Sequence, residues 1–339
     1  MTPPTIKLQD IAQYLGVSKG TVSMALNDAP GVSSETRRRV KEYAKQVRYR
    51  PNQMARAVNT GRSYLVAVVL SRLTDSFYEE IVQGIENVAA MRGYDIIVSS
   101  VIGSAASDRA RNADQLVDRL IGRQIAGLVG SIYSLPESSL AQLNGAGIPV
   151  LYLGPEPVPE QTSVTVDNIM GGRLAAEQLY DLGHREVLFL GGDEPFSQRR
   201  AEGARAVLTE RGGGAGLETR VVEGDATLES AYYTMATRLR SRRDFSAVFC
   251  ASDMLAVGAC KALADAGVSI PGQVSVVGFD DLRWAKLITP ALTTVHQPQV
   301  SQGEVCMEML IQKILGEAPL SRVLAPRIVV RESSGPAPT

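Results

Sequence analysis

Residues Ile6 to Asn27 read IKLQDIAQYLGVSKGTVSMALN. Ile11, Ala12 and Leu15 share one helical face, Gly16 breaks the helix, and Ser18 stands where it caps a second helix carrying Val22, Ala25 and Leu26 on one side. Two helices crossing at a steep angle need a small residue at their contact, here Ala12, and a tight turn, here Gly16. The spacing is that of a helix-turn-helix, whose second helix lies in the major groove and presents its N-terminal residues to base edges. Ser18, Lys19, Gly20, Thr21 and Ser23 are short or flexible enough for close approach, and Lys19 reaches guanine or a phosphate. An ordinary αα-hairpin inside a larger domain has the same pattern.

Charge weighs against the hairpin. From Met1 to Arg62 there are eleven Lys and Arg against four Asp and Glu, a charge of +7; the remainder holds 24 basic and 32 acidic residues, a charge of −8, for a total of −1. A basic N-terminal module on an acidic body points to a polyanion partner for the module. A third helix follows, capped by Ser33 or Ser34 with Glu35 in its first turn. It carries Val40, Tyr43, Ala44 and Val47 on one face and stops at Arg50-Pro51-Asn52.

The 339 residues, 45% hydrophobic and 21% charged, have an ordinary globular balance. At roughly 100–200 residues per domain they allow two or three domains. Met1 to Asp10 lacks the apolar core of a secretory signal, and the apolar run Tyr64–Leu70 is too short for a bilayer. Cys250, Cys260 and Cys306 are odd in number with no close pair; they read as small buried side chains in a reduced cytoplasm. His184 and His296 stand far apart with no ligand-spaced partners, so neither a metal nor a catalytic set is expected. His184, after Gly183 near a helix end, reads as structural. Gly191-Gly192 and Gly212-Gly213-Gly214 lack the order of a phosphate loop.

After residue 62, strands alternate with helices. Val66–Leu70 is a continuous apolar run suited to a buried parallel strand; Phe77, Ile81, Ile85, Val88 and Ala89 follow at helical spacing. Asp95–Ser100, Gly127–Ile132, Pro149–Gly154, Val187–Gly192, Ala247–Ser252 and Val274–Asp280 read as further strands. The alternation predicts a doubly wound α/β architecture with parallel sheets. The stretch is long for one sheet, and a split near Thr162–Val166 gives two similar lobes. Ligands of such folds sit beyond the carboxyl ends of the strands. Asp167, Arg200, Ser252, Asp253 and Asp280 fall at or just after predicted strand ends, or early in the next helix. Carboxylates accept from sugar hydroxyls and Arg offers a planar donor fork; each of these residues is otherwise a helix cap or a hinge salt bridge.

So placed, the residues resemble the lactose and galactose repressor (LacI/GalR) family over nearly the whole chain. The matches begin with Asp10-Ile11-Ala12, Gly16-Val17-Ser18, Thr21-Val22-Ser23, Leu26-Asn27, Val32-Ser33, Thr36-Arg37, Tyr49, Pro51-Asn52 and Ala55-Arg56. They continue with Phe77-Tyr78, Gly84-Ile85, Asp167-Asn168, Gly183-His184, Arg200-Ala201-Glu202-Gly203, Ser252-Asp253, Gly278-Phe279-Asp280-Asp281 and Leu292-Thr293-Thr294-Val295. The resemblance implies DNA contacts by Leu8, Ser18, Lys19, Gly20, Thr21, Ser23, Met24, Asn27, Ser33 and Thr36. It also implies a hinge helix over Asn52–Asn59, with Asn52, Ala55 and Val58 at the minor groove. It implies ligand contacts by Phe77, Tyr78, Asp167, Arg200, Ser252, Asp280 and Trp284.

Three positions depart from the family's habit. Val58 stands at the wedge position where Leu is usual, so a weaker or differently shaped kink is expected. Met24 replaces a common Arg and donates no hydrogen bond, so a guanine readout gives way to contact with a thymine methyl. Ala226, in Gly224-Asp225-Ala226, replaces an aromatic platform, which leaves Trp284 or the Phe77-Tyr78 pair to supply stacking.

The resemblance thus implies a helix-turn-helix domain over 1–50, a hinge over 51–62 and a two-lobed, periplasmic-binding-protein-like sensor over 63–333. Its N-lobe is expected over 63–163 and 293–322, its C-lobe over 164–292 and 323–333; 334–339 reads as a disordered tail. The expected function is a cytoplasmic transcription regulator, a repressor by the family's usual outcome, bound to the nucleoid when it holds DNA. It binds a pseudo-palindromic double-stranded operator as a homodimer, under control of a small effector such as a sugar or sugar phosphate. No cofactor, metal or membrane is expected, and after Val330 there is no room for a tetramerising coiled coil. The rival classes are a plain ligand-binding protein of the type that feeds transporters, opposed by the basic module, and an enzyme, for which no nucleophile–base pair or cofactor loop is found.

Overall fold

The computed structural model describes residues 6–26, 28–47, 49, 63–73, 76–101, 106–131, 135–154, 161–212, 216–222, 226–241 and 244–338. They fall into two compact units, Met1–Tyr64 and Leu65–Thr339. The first holds helices α1 (Leu8–Leu15), α2 (Lys19–Leu26) and α3 (Ser34–Gln46). The Asp10 carboxylate accepts the Lys7 N–H at 2.7 Å to open α1. Gly16 closes it at φ +66°, a left-handed conformation that costs glycine nothing. Ser18 Oγ accepts the Thr21 N–H at 3.0 Å at the start of α2. Ser33, not Ser34, caps α3, accepting the Thr36 N–H at 3.2 Å. The three apolar faces meet in one small core of Ile11, Ala12, Val22, Ala25, Val40 and Ala44. Only three of those are larger than alanine; at about 1.5–3 kcal/mol for each fully buried aliphatic side chain, the core is thin and the caps matter.

The second unit is built on two six-stranded sheets. Strands β1 (Leu65–Leu70), β2 (Asp95–Ser100), β3 (Gly127–Ser131), β4 (Val150–Leu153), β5 (Ser163–Val166) and β11 (Arg322–Leu324) run parallel in the order β11-β5-β4-β3-β1-β2. Strands β6 (Glu186–Gly191), β7 (Gly216–Val221), β8 (Ala247–Cys250), β9 (Ser275–Asp280), β10 (Thr293–His296) and β12 (Arg327–Val329) take the order β12-β10-β9-β8-β6-β7. This sheet is parallel except at the β10–β12 pair. Helices α4 (Phe77–Arg92), α5 (Ala106–Gly122), α6 (Glu137–Gly145) and α11 (Gln299–Ile314) belong to the N-lobe. Helices α7 (Asn168–Asp181), α8 (Pro195–Arg211), α9 (Leu228–Ser241) and α10 (Asp253–Asp265) belong to the C-lobe.

The continuous apolar run of β1 has its reason here. Val66, Val68 and Leu70 join one N-lobe core with residues of α4 and α11, while Ala67 and Val69 join the core on the opposite face with residues of α5 and α6. A parallel strand covered on both sides has no face left for polar residues.

The chain passes between the lobes after β5, after β10 and between β11 and β12. These points lie a few residues beyond the expected boundaries. Ladder pairing, not polarity, ends a strand: Ser163, Thr165, Thr293 and Thr294 are all buried within the sheets. The expected loose tail is likewise replaced by an ordered one. The Gly335 N–H donates to Ser275 Oγ at 3.0 Å, the Gly335 carbonyl accepts from His184 Nε2 at 3.0 Å, and the Ala337 N–H donates to the Leu182 carbonyl at 2.8 Å. Buried polar groups of the C-lobe need these partners as much as the tail does.

Candidate ligand cleft and DNA-binding module

On α2, Val22 and Ala25 point into the core and Leu26 packs against it. Ser18, Lys19 and Gly20 are exposed, Thr21 and Ser23 are half-buried, and Met24 is 38% exposed. This leaves Ser18, Lys19, Gly20 and Met24 on the face of α2 turned away from the core. The Ser18 and Thr21 hydroxyls lie 2.9 Å apart, so both serve the cap as well as the surface. Ser33 Oγ donates to Thr36 Oγ1 at 2.9 Å. Leu8 is half-buried and packs against the core. Arg37 donates to the Ala29 carbonyl at 2.7 Å, and Lys41 pairs with Asp28 at 2.7 Å; these two cations hold the α2–α3 turn. Asn27, Asn52, Ala55 and Val58 lie outside the described residues.

In the C-lobe, Arg200 and Asp280 come together at the carboxyl ends of the strands. Asp280 ends β9 and is 5% exposed; Arg200, on α8, is 4% exposed. Arg200 Nη1 lies 3.6 Å from Asp280 Oδ1 and donates to the Ala251 carbonyl. Its Nε donates to Asn168 Oδ1 at 2.8 Å, and its guanidinium lies 3.5 Å from the Phe279 ring centroid. Two glycines permit the approach of α7 to α8 that sets Arg200 there. A Cβ on Gly172 would lie 2.0 Å from the Arg200 carbonyl oxygen, and one on Gly203 would lie 2.0 Å from that of Ile169.

Asp280 has φ +117° and Asp281 φ +59°, conformations that cost of order 1–3 kcal/mol each and persist only where the surroundings hold them. They do. Gln297 donates to Asp280 Oδ1 and Gln299 to the Asp280 carbonyl, both at 2.6 Å. Asp281 accepts from His296 Nδ1 at 3.1 Å and Arg331 Nη2 at 2.5 Å. Burial raises the Asp281 carboxyl, and these bonds outweigh it, leaving the group below its ordinary value. Asp253 is fully buried, and that burial, with the neighbouring Asp280 charge, holds its carboxyl well above the ordinary range.

Asp167 and Ser252 are helix caps: Asp167 Oδ1 accepts the Met170 N–H at 2.8 Å and Ser252 Oγ the Leu255 N–H at 3.3 Å. Each carries out the structural role that the sequence allowed, and each retains acceptor capacity. Phe77 and Tyr78 open α4, their rings edge to face at 5.3 Å, with the Tyr78 hydroxyl 2.9 Å from Ser71 Oγ. A cavity of about 50 Å³ is lined by Ser76 and by Phe77, Glu79 and Glu80 of the N-lobe helix α4, by Leu282, Arg283 and Trp284 after β9, and by Gln299. It brings Phe77 and Trp284 to one place, while Tyr78 stays against the N-lobe core. Ala226 packs at the edge of the C-lobe core.

Sequence reasoning missed the roles of Gln297, Gln299 and Asn168. The signal was a Gln-Pro-Gln immediately after β10, the strand that pairs with β9 and so brings that segment to Asp280. His184 is structural, as read: its Nε2–H donates to Gly335, Ser246 lies 2.8 Å from Nδ1, and burial lowers its pKa. Among the described residues no helix is long and apolar enough to cross a membrane.

Comparison with known proteins agrees with both halves of this geometry. Residues 7–52 match the family of bacterial regulatory proteins, lacI family, and residues 176–334 match the periplasmic binding protein-like domain. Catabolite control protein A of Priestia megaterium is 30% identical, covering 97% of this chain and 99% of its own. The HTH-type transcriptional regulator CelR of Thermobifida fusca is 33% identical, covering 97% and 98%, and a structure of a CelR–cellobiose complex superposes with TM-score 0.69 at 31% identity, covering 97% and 99%. The Lac repressor dimer bound to operator and the anti-inducer ONPF superposes with TM-score 0.85 at 28% identity, covering 98% of this chain and 100% of that one. The relatives are regulators and not enzymes, and the chain belongs to the lacI family of bacterial regulatory proteins, the DNA-binding regulators of transcription.

Proposed function

We propose that the protein is a repressor that binds a pseudo-palindromic operator as a homodimer, and that an uncharged saccharide held between the sensor lobes controls the binding. The observation that carries the reading is the buried Arg200–Asp280 pair at the carboxyl ends of the C-lobe strands. Gln299 links it to the cavity shared by Phe77 and Trp284. A sheet of this type holds its ligand at that end. The Lac repressor dimer on operator and CelR with cellobiose support the two partners.

In this reading Ser18, Lys19, Gly20, Thr21, Ser23 and Met24 meet the major groove, with Ser33 and Thr36 at the backbone. Asp167, Arg200 and Asp280 bind ligand hydroxyls, and Phe77 and Trp284 cover the apolar ring faces. Ser252 and Tyr78 contribute less, because one caps α10 and the other is tied to Ser71. Ligand favours one arrangement of the lobes, and operator affinity follows by linkage. The protein works in the cytoplasm, on the nucleoid when it holds DNA.

The test is operator selection from randomised duplex DNA, repeated with cellobiose, other neutral sugars, sugar phosphates and purines. Enrichment of a palindrome whose affinity shifts about 5- to 150-fold with one neutral sugar is the expected result. No enrichment at low salt with folded protein would leave a plain binding protein as the better reading.

A further inference from the structure

We propose that Gln299 sets which effector the cleft accepts. Its Oε1 takes a hydrogen bond from a hydroxyl of an uncharged saccharide whose hydroxymethyl-sized end fills the cavity between Phe77 and Trp284. The proposal rests on the reading of the cleft as a saccharide site.

Gln299 is 2% exposed. Its amide nitrogen is spent on the Asp280 carbonyl at 2.6 Å, which fixes the orientation of the group. Its Oε1 is buried and has no hydrogen-bond partner among the described residues. Nine in ten or more of such buried groups are paired, and an amide oxygen is an acceptor only. Whatever completes this site must therefore donate. Gln299 is also one of the residues lining the cavity that holds Phe77 and Trp284.

Size and charge narrow the donor. The cavity, about 50 Å³, exceeds the roughly 10–15 Å³ that a single water needs and falls far short of the roughly 300–1,000 Å³ of a whole-ligand pocket. It takes one end of a molecule, not all of it. Glu79 and Glu80 line it against the single cation Arg283. The nearby guanidinium of Arg200 is already committed to Asp280, Asn168 and Ala251. A phosphate or carboxylate placed there would stand beside two like charges with one counter-ion; a neutral hydroxyl would not. The rings of Phe77 and Trp284 cover the carbon atoms that carry it.

The experiment is calorimetric titration of the full-length protein with cellobiose, glucose, galactose and ribose. Their phosphate esters and the monodeoxy analogues of whichever neutral sugar binds are titrated too, on the parent and on Gln299→Met. The expected result is that a neutral sugar binds and its phosphate ester binds at least tenfold more weakly. One deoxy analogue loses about tenfold on the parent, as loss of one buried hydrogen bond requires, and Gln299→Met weakens the parent sugar by the same factor while no longer distinguishing that analogue. The deoxy series on the parent keeps the test independent of how the variant folds. Tighter binding of a phosphate ester, or a full deoxy series that binds like the parent sugar, would overturn the proposal. So would no binding of any neutral sugar; if the same preparation still retained its selected operator, the regulator would stand and only the effector assignment would fall.

Discussion

Asp253 takes the Leu282 N–H at 2.8 Å and the Thr294 hydroxyl at 2.6 Å, out of water and beside Asp280 and Asp281. A carboxyl whose folded-state pKa is raised above its ordinary value favours folding while it is protonated. That contribution is complete below the unfolded value and is lost as pH rises through the folded one. Asp253→Asn keeps the shape and removes the charge, with Thr294 turning to accept from the new amide. The variant is expected to lose less thermal stability than the parent as pH rises from about 4 to 8. A melting series over that range checks it; parallel curves would show that Asp253 does not titrate against folding. Arg200 is the opposite case, a buried cation whose anion stays behind. Arg200→Met is expected to cost about 3–5 kcal/mol in urea unfolding, because the cation that balances the buried Asp280 carboxylate is removed; a loss below about 1 kcal/mol would mean the pair is solvated. The positions of Asp167, Arg200 and Asp280, at or just after a strand end or early in the next helix, could be read from the sequence. The Gln-Pro-Gln that holds Gln297 and Gln299 is visible in the sequence, but its partner is not, because the β10–β9 pairing that brings it to Asp280 is non-local.

The approach of α7 to α8 carries the site, and it depends on two residues without side chains. Gly172→Ala would place a methyl 2.0 Å from the Arg200 carbonyl oxygen. The helices must separate, at about 1–3 kcal/mol for an overpacked contact, and Arg200 moves with α8. Gly145→Ala at the end of α6, where a Cβ meets nothing within 4 Å, is the control and is expected to be neutral. Chemical denaturation and sugar titration of both variants decide the matter; equal behaviour would contradict the packing argument. Strands β1, β3, β6, β8 and β9 were legible because they lie inside the sheets and carry a continuous apolar stretch, with polar residues only at their ends. Strands β7 (GLETRV), β11 (RVL) and β12 (RIV) sit at sheet edges and carry charges. They form because a distant partner offers a ladder: β11 pairs with β5 across most of the C-lobe sequence. Resemblance and strand alternation gave two lobes; only the pairings gave where the chain crosses between them.

Across the whole chain, charge is divided as function requires, +7 before residue 63 and −8 after it. The basic module is drawn to phosphates, and the acidic sensor keeps the body of the protein from adding nonspecific contacts. Operator affinity is expected to fall about 10³- to 10⁵-fold between roughly 50 and 200 mM salt if six to ten phosphates are contacted, while binding of a neutral sugar barely moves. Anisotropy and calorimetry over that range test the division, and matching salt slopes would contradict it. In the proposed mechanism, ligand in the sensor changes the grip of α2 on DNA. Its most direct measurement is the affinity of the purified protein for its selected operator, at fixed salt, with and without a saturating neutral sugar shown by calorimetry to bind. A change of about 5- to 150-fold is expected; an operator affinity that stays the same with the sugar bound would rule out control by that ligand.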